Sequence, residues 1–204
     1  SGVETQVEIL KSRDLVVSTI EASGLNARVW RGTDKEPPSI RYWRWRLLDG
    51  KRLSAWAPGP QAIEARNAAV TDPGLADVPL TLRFASAGAY QVRYEGRTVL
   101  DGRLDEPAVG PGLRLLLQPA QAGFVPAPGA EYHLRVVRAV RLYHGLLKGG
   151  GFIVSTTTGG GASRPTLVVA LSYKSLNPYR AQRFLADLMR SYLAQNLRWS
   201  TEQA

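Results

Sequence analysis

The sequence contains no cysteine and only two histidines, His133 and His144. The missing thiols exclude a disulfide framework and a thiolate metal site. Zinc needs three or four protein ligands, so a site built on two histidines would also require carboxylates nearby. We therefore interpret both histidines as ordinary strand or surface residues and predict no metal-binding residues.

Long apolar runs are also missing. A helix that crosses a bilayer needs about 20 predominantly apolar residues in a row. The clearest apolar runs here, 115–117 and 167–171, are far shorter. An N-terminal signal peptide, with a charged start, an apolar centre and a small-residue cleavage site, is not recognisable either. We therefore expect these 204 residues to form a soluble unit.

The short motifs that accompany common enzyme chemistry are absent as well. The glycines at 159–161 are not followed by the lysine and hydroxyl residue of a phosphate-binding P-loop. No G-x-S-x-G nucleophile elbow occurs. The acids Asp101, Asp105 and Glu106 cluster in turn-like sequence, which favours solvated turns over a glycosidase pair. We predict no catalytic and no cofactor-binding residues, and a protein that is not an enzyme.

What the sequence does have is positive charge, with a formal net charge of +9. A basic protein attracts polyanions such as nucleic acid, anionic lipid or acidic polysaccharide. The sharpest local feature is Arg41, Arg44 and Arg46, which are interleaved with a tyrosine and two tryptophans. These arginines are our candidate polyanion contacts. The alternation equally fits a half-buried strand with its tryptophans in the core, and we favour that interpretation.

Helices are predicted at both ends of the chain. Residues 3–23 predict two short helices or one kinked helix, with Ser12 as an N-cap and Gly24 as the terminator. Near the other end, Asn177 and Pro178 predict the start of a long helix. No glycine or proline ends that helix, so we expect it to continue beyond residue 204 in a parent protein.

Strands are predicted for the middle of the chain. Alternating stretches about ten residues apart within 79–143 predict a small antiparallel sheet or half-barrel, in which 132–142 is one strand. Residues 61–70 are expected to be a short helix or loop. The glycine-rich stretch 149–163 predicts a hairpin or a mobile loop, and 166–173 predicts a strand.

Two segments at the chain ends resemble the bacterial polysaccharide chain-length determinant family. Residues 4–25 resemble its opening helices, with a Glu-Ile-Leu-Lys-Ser-Arg run at 8–13 and a Gly-Leu turn at 24–25. Residues 167–204 resemble its closing strand and helix, with an Asn-Pro cap and a Tyr-Leu-x-Gln-Asn run at 192–196. The β-rich middle is similar to that of the larger members, the exopolysaccharide and capsule co-polymerases. Some of these carry a cytoplasmic tyrosine autokinase, but these 204 residues contain neither its Walker signature nor its tyrosine-rich tail.

The resemblance implies an α+β fold. Residues 1–30 and 144–204 would form an α/β base from the N-terminal helices, the strand 166–173 and the long C-terminal helix. Residues 31–143 would form an inserted antiparallel β-rich lobe.

The resemblance also implies a function. The chain would be the periplasmic domain of a bacterial inner-membrane protein that forms homo-oligomers through its base. With polysaccharide polymerase and export proteins, it would regulate exopolysaccharide or capsule chain length without an enzymatic step, and its basic charge would suit an acidic polysaccharide. The alternatives are a basic polyanion- or nucleic-acid-binding module and a sugar-active enzyme. Since no nucleic-acid motif is recognisable, we expect no nucleic-acid partner.

Overall fold

A computed structural model describes residues 2–31, 62–149, 151–159, 166–174 and 178–202. The chain divides into two compact units, Ser1–Ser23 with Ala139–Ala204, and Gly24–Arg138. We call the first the helical unit and the second the β unit. The fold is mixed α+β, as predicted, with N-terminal helices, antiparallel sheets and a long C-terminal helix that packs against the second helix.

The helical unit opens with two short helices, α1 (Gly2–Lys11) and α2 (Arg13–Ser23). Ser12 separates them as the predicted cap: its Oγ accepts from the Leu15 amide at 3.4 Å, and its carbonyl accepts from the Val16 amide at 3.0 Å. Asp14 lies in the first turn of α2, where a carboxylate is favoured by the helix dipole. The prediction of two short helices is therefore confirmed.

The rest of the helical unit comprises α3 (Ala139–Lys148), β9 (Phe152–Gly159), β10 (Thr166–Tyr173) and α4 (Pro178–Glu202). Strands β9 and β10 pair in antiparallel fashion, so the hairpin interpretation of the glycine-rich stretch is confirmed. Helix α4 begins at Pro178, as predicted, while Asn177 lies outside the described residues.

The core of the helical unit centres on α4. Phe184 is fully buried, and its ring lies 5.9 Å from that of Phe152 on β9 and 5.3 Å from that of Tyr173 on β10. Helix α2 packs against both α3 and α4. Through these contacts, the two end segments of the chain fold into one body.

The β unit consists of two antiparallel sheets. The five-stranded sheet has the order β1-β8-β3-β4-β5, and the three-stranded sheet has the order β2-β7-β6. The strands are β1 (Ala27–Trp30), β2 (Ile63–Val70), β3 (Leu80–Phe84), β4 (Ala89–Tyr94), β5 (Arg97–Arg103), β6 (Pro107–Gly110), β7 (Leu113–Pro119) and β8 (Glu131–Val136). A short 3-10 helix, Pro73–Leu75, follows β2.

One hydrophobic core fills the β unit. Leu82, Phe84 and Leu134 from the five-stranded sheet are fully buried, and so is Leu117 from the three-stranded sheet. At the start of the unit, Gly24 adopts a positive φ of 70°, and a Cβ there would overlap the carbonyl oxygen of Ala65. Glycine is therefore required where the chain passes close to β2.

Two predictions for this region are wrong. A short helix or loop is predicted for 61–70, but Ile63–Val70 form β2 because they pair with β7, far along the chain. The strand predicted for 132–142 ends at Val136, and α3 begins at Ala139. Asn26 marks this break: its carbonyl accepts from the Val137 amide at 2.8 Å, and its side-chain amide donates to the Val137 carbonyl at 3.0 Å.

The division into units follows from these pairings. Strand β1 pairs with β8, so it belongs to the β unit, whereas α3 belongs to the helical unit. The chain passes between the units after Ser23 and after Arg138. The resemblance to the chain-length determinant family implies limits at 30/31 and 143/144.

Candidate functional site

The predicted polyanion contacts Arg41, Arg44 and Arg46 lie outside the described residues. Their role stays a prediction.

The two histidines belong to different units and each lies beside an aromatic ring. His133 is exposed on β8, 5.3 Å from the ring of Trp30. His144 is exposed on α3, 5.5 Å from the ring of Tyr143. Within the described part of the chain, no group of three or more His, Asp or Glu side chains is placed to hold a metal ion.

The solvent-facing side of the five-stranded sheet carries a continuous row of polar and aromatic side chains. Cross-strand register brings Trp30, His133, Thr81, Arg93 and Thr98 into line, one from each strand. Their sequence neighbours on β1, β8 and β3 are buried in the core, and so is Val92 on β4, whereas Tyr94 on β4 is half-buried. At about 4.8 Å between strands, the row is about 19 Å long.

Two arginines lie beside the ring pair at the β1 end of this row. Arg28 and Arg135 are directly opposite each other in the register of β1 and β8, and both are half-buried. Like charges directly opposite each other on a sheet are destabilising. Asp77 offsets part of this repulsion, with its carboxylate 3.9 Å from the Arg135 guanidinium. We call Arg28, Trp30, His133 and Arg135 the ring–arginine cluster.

A further row of side chains on the same face is mixed in charge, and we call it the mixed row. It lies on the opposite side of the row of Trp30 and His133 from Arg28 and Arg135. It runs through Glu131, Arg83, Gln91 and Asp101. The Arg83 Nε lies 3.8 Å from a Glu131 carboxylate oxygen, and the Gln91 side-chain amide donates to Asp101 at 2.9 Å. The mixed row therefore carries both signs of charge, whereas the ring–arginine cluster has two arginines and one neighbouring carboxylate.

The mixed row leads into an open groove of about 460 Å³ on the β5 and β6 side of the sheet. Gln91, Asp101, Arg103 and Glu106 line it, together with the buried Tyr90. The Tyr90 hydroxyl has no hydrogen-bond partner among the described residues, and burial raises the pKa of this phenol above its ordinary value. A Cβ at position 102 would lie only 2.5 Å from that hydroxyl, so glycine there makes room for the ring.

The helical unit has a different kind of exposed surface. Met189, Leu193 and Leu197 follow one another at steps of four residues along α4, with 40%, 53% and 67% of their surface exposed. Residues four apart share one face of a helix. Helix α4 therefore has an apolar stripe, made of these three side chains, in addition to the face that it buries.

Positive charge is also concentrated in a part of the chain that does not include the predicted contacts Arg41, Arg44 and Arg46. The stretch 132–186 contains no Asp and no Glu, and its described part exposes Arg141, Lys148 and Lys174. Counting acids along the chain would have revealed this stretch from sequence alone. The ring–arginine cluster offers no such signal, because its two strands are about a hundred residues apart.

A scan against models of known protein families finds no match to this chain, and a search of curated proteins finds none. No helix in the described ranges is both long enough and apolar enough to cross a membrane.

Proposed function

We propose that this chain is the periplasmic domain of a bacterial inner-membrane polysaccharide co-polymerase of the exopolysaccharide or capsule type. It assembles into a homo-oligomer through its helical unit and, with the polymerase and export proteins, regulates chain length without catalysing a reaction. The observation that carries the proposal is the packing of α2 against α4. The two segments that bear the resemblance thereby belong largely to one body, with the β unit inserted between them.

The apolar stripe on α4 supports assembly through the helical unit. Three large apolar side chains in a row on one exposed helix face are unusual on a monomer and are typical of protein interfaces. Homodimer and larger homo-oligomer interfaces have apolar centres. The stripe therefore gives the proposed oligomer a specific place to form.

Sedimentation velocity of the 204-residue chain tests this assembly. We expect the wild-type chain to form a concentration-dependent oligomer and the double variant Leu193→Glu, Leu197→Glu to sediment as a monomer, because two carboxylates would be buried in the interface. Val109→Glu is the matched control, since Val109 is 79% exposed on β6 of the β unit. A wild-type chain that stays monomeric, or a double variant that assembles equally well, contradicts assembly through α4.

The cellular function is tested on the full reading frame to which this chain belongs. We expect a membrane-spanning helix on each side of the chain. In the source bacterium, deletion of the gene should alter the length distribution of a surface polysaccharide. Complementation with the wild-type gene should restore that distribution, and complementation with the Leu193→Glu, Leu197→Glu gene should not. A reading frame without spanning helices, or an unchanged polymer after deletion, contradicts the proposal.

The acid-free stretch 132–186 favours a second candidate, a basic polyanion-binding module. Filter binding of single-stranded and double-stranded DNA and RNA at physiological salt separates the two. Tight retention of nucleic acid by a chain that has no effect on polysaccharide length would favour the second candidate.

A further inference from the structure

The ring–arginine cluster combines a pair of like charges with an accessible aromatic surface. Arg28 and Arg135 place like charges opposite each other on neighbouring strands. Trp30 is only half-buried and shares the solvent-facing side with His133. An anionic ligand with a flat apolar face would suit both, since the two arginines would attract its charge and the rings would pack against its apolar face.

We propose that the ring–arginine cluster binds an acidic sugar residue of a polysaccharide. The sugar ring stacks on the Trp30 and His133 rings, and its carboxylate accepts hydrogen bonds from Arg135 and Arg28. Arginine suits this role because its planar guanidinium binds a carboxylate through two parallel hydrogen bonds. The inference rests on the proposed function, which makes a polysaccharide the available polymer.

The surroundings of the cluster favour an acidic sugar over nucleic acid. Gln91 and Asp101 lie in the mixed row of the same face and are polar groups that can hydrogen-bond the hydroxyl groups of a sugar chain. Proteins that bind single-stranded nucleic acid use a succession of aromatic platforms, whereas this face presents one ring pair in its described part.

Asp77 would compete with the ligand carboxylate for Arg135. Its contact with Arg135 is long, at 3.9 Å, and the two side chains are 37% and 41% exposed. Exposed ion pairs of this kind contribute little to stability, so a better-oriented carboxylate can displace Asp77. The chain's own acid therefore acts as a weak competitor of the ligand.

This competition gives the proposal a directional test by titration calorimetry on the 204-residue chain, with an oligogalacturonate as the acidic probe. We expect Trp30→Ala and Arg135→Gln each to weaken binding about tenfold. Asp77→Asn should strengthen binding about threefold, because it removes the competing charge. Arg97→Gln, a change of the same kind at an exposed position of β5, should leave binding unchanged.

Two further probes decide the ligand class: a neutral gluco-oligosaccharide and oligo-dT, each at low and physiological salt. Circular dichroism of every variant checks that the fold is retained, and Asp77→Asn remains informative if Trp30→Ala fails to fold. The proposal is overturned if Asp77→Asn weakens binding, if Arg135→Gln has no effect, or if oligo-dT binds more tightly at the same residues. Such a result would leave the proposed function standing, provided that the α4 variants still abolish assembly and alter polymer length.

Discussion

The two units of this chain bury their apolar residues to different extents. In the β unit, both sheets contribute fully buried side chains to one continuous core, and its exposed large apolar residues, Val109 and Val125, are isolated. The helical unit has a smaller core around Phe184. It carries the other exposed large apolar side chains of the described residues: Leu147, Ile153, Tyr179, Met189, Leu193 and Leu197.

This difference indicates which unit is stable on its own and which unit assembles. A unit with a continuous core and a polar outer face is expected to be stable alone and available for a ligand. A unit that leaves an apolar stripe on its longest helix is expected to gain stability from a partner. The proposed oligomer is therefore assigned to the helical unit and the proposed sugar site to the β unit.

Truncating one phenylalanine in each unit tests this difference and should give the largest effects. Phe84 and Phe184 are both fully buried, and each lies within 6 Å of two aromatic rings. We expect Phe84→Ala to cost about 4–5 kcal/mol and Phe184→Ala about 3 kcal/mol, because the smaller core of the helical unit can collapse more completely around a cavity. Urea unfolding measures both costs.

Hydrogen exchange read by mass spectrometry assigns each loss to a unit. Phe84→Ala should speed exchange in β3, β4 and β8, and Phe184→Ala should do so in α2, α4 and β10. Equal costs and uniform exchange across the chain would mean that the two units unfold as one, which breaks the comparison.

The parts of the fold that the sequence predicts correctly are those set by local signals. Ser12 and Gly24 delimit α2, and Pro178 starts α4, because caps and terminators act within a few residues. Strand β2 was missed because its alanine-rich sequence has little strand preference, and its pairing with β7 decides its structure. Helix α3 was missed although Ala139, Leu142, Tyr143 and Leu146 follow a helical spacing, because the alternation of the preceding strand was extended to Leu142.

The candidate site is predictable to a smaller degree. Excess positive charge predicts a polyanion-binding surface, but it does not say where on the fold that surface lies. The ring–arginine cluster, however, depends on the register of β1 with β8, which nothing local encodes. Trp30 and His133 meet only because Ala27 pairs with Val136 and not with a neighbour, since a shift of one residue would move every side chain to the other face.

The Tyr90 hydroxyl is a polar group in the apolar core of the β unit. Its removal should have an effect of intermediate size on stability. Tyr90→Phe removes a buried hydroxyl that has no partner among the described residues while keeping the ring. We expect this variant to be more stable by about 1–2 kcal/mol. A loss of stability would show that the hydroxyl is satisfied, for example by a water molecule bound in the groove.

The same variant should change the dependence of stability on pH. Burial raises the pKa of Tyr90 above its ordinary value of 10.0, so the folded chain keeps a proton that the unfolded chain loses. The contribution of Tyr90 to the free energy of unfolding is therefore fully present below pH 10 and declines above it, by up to about 1.4 kcal/mol per pH unit. Urea unfolding at pH 8, 10 and 11 should show a steeper decline for the wild-type chain than for Tyr90→Phe.

The smallest expected effects come from one ion pair in each unit. On the β unit, Arg83 and Glu131 are 3.8 Å apart with side chains 54% and 61% exposed, so Arg83→Gln should cost no more than about 0.3 kcal/mol.

On α4, Arg190 lies 3.0 Å from Asp187, whose side chain is only 11% exposed. Arg190→Gln leaves that carboxylate with a weaker partner in a poorly solvated place, so we expect a cost of about 1 kcal/mol. Raising the salt concentration to 0.5 M should erase the first cost and reduce the second only partly, because screening acts mainly on exposed charges. If both costs vanish in salt, Asp187 is solvated in solution, and the core of the helical unit is more open than its buried residues indicate.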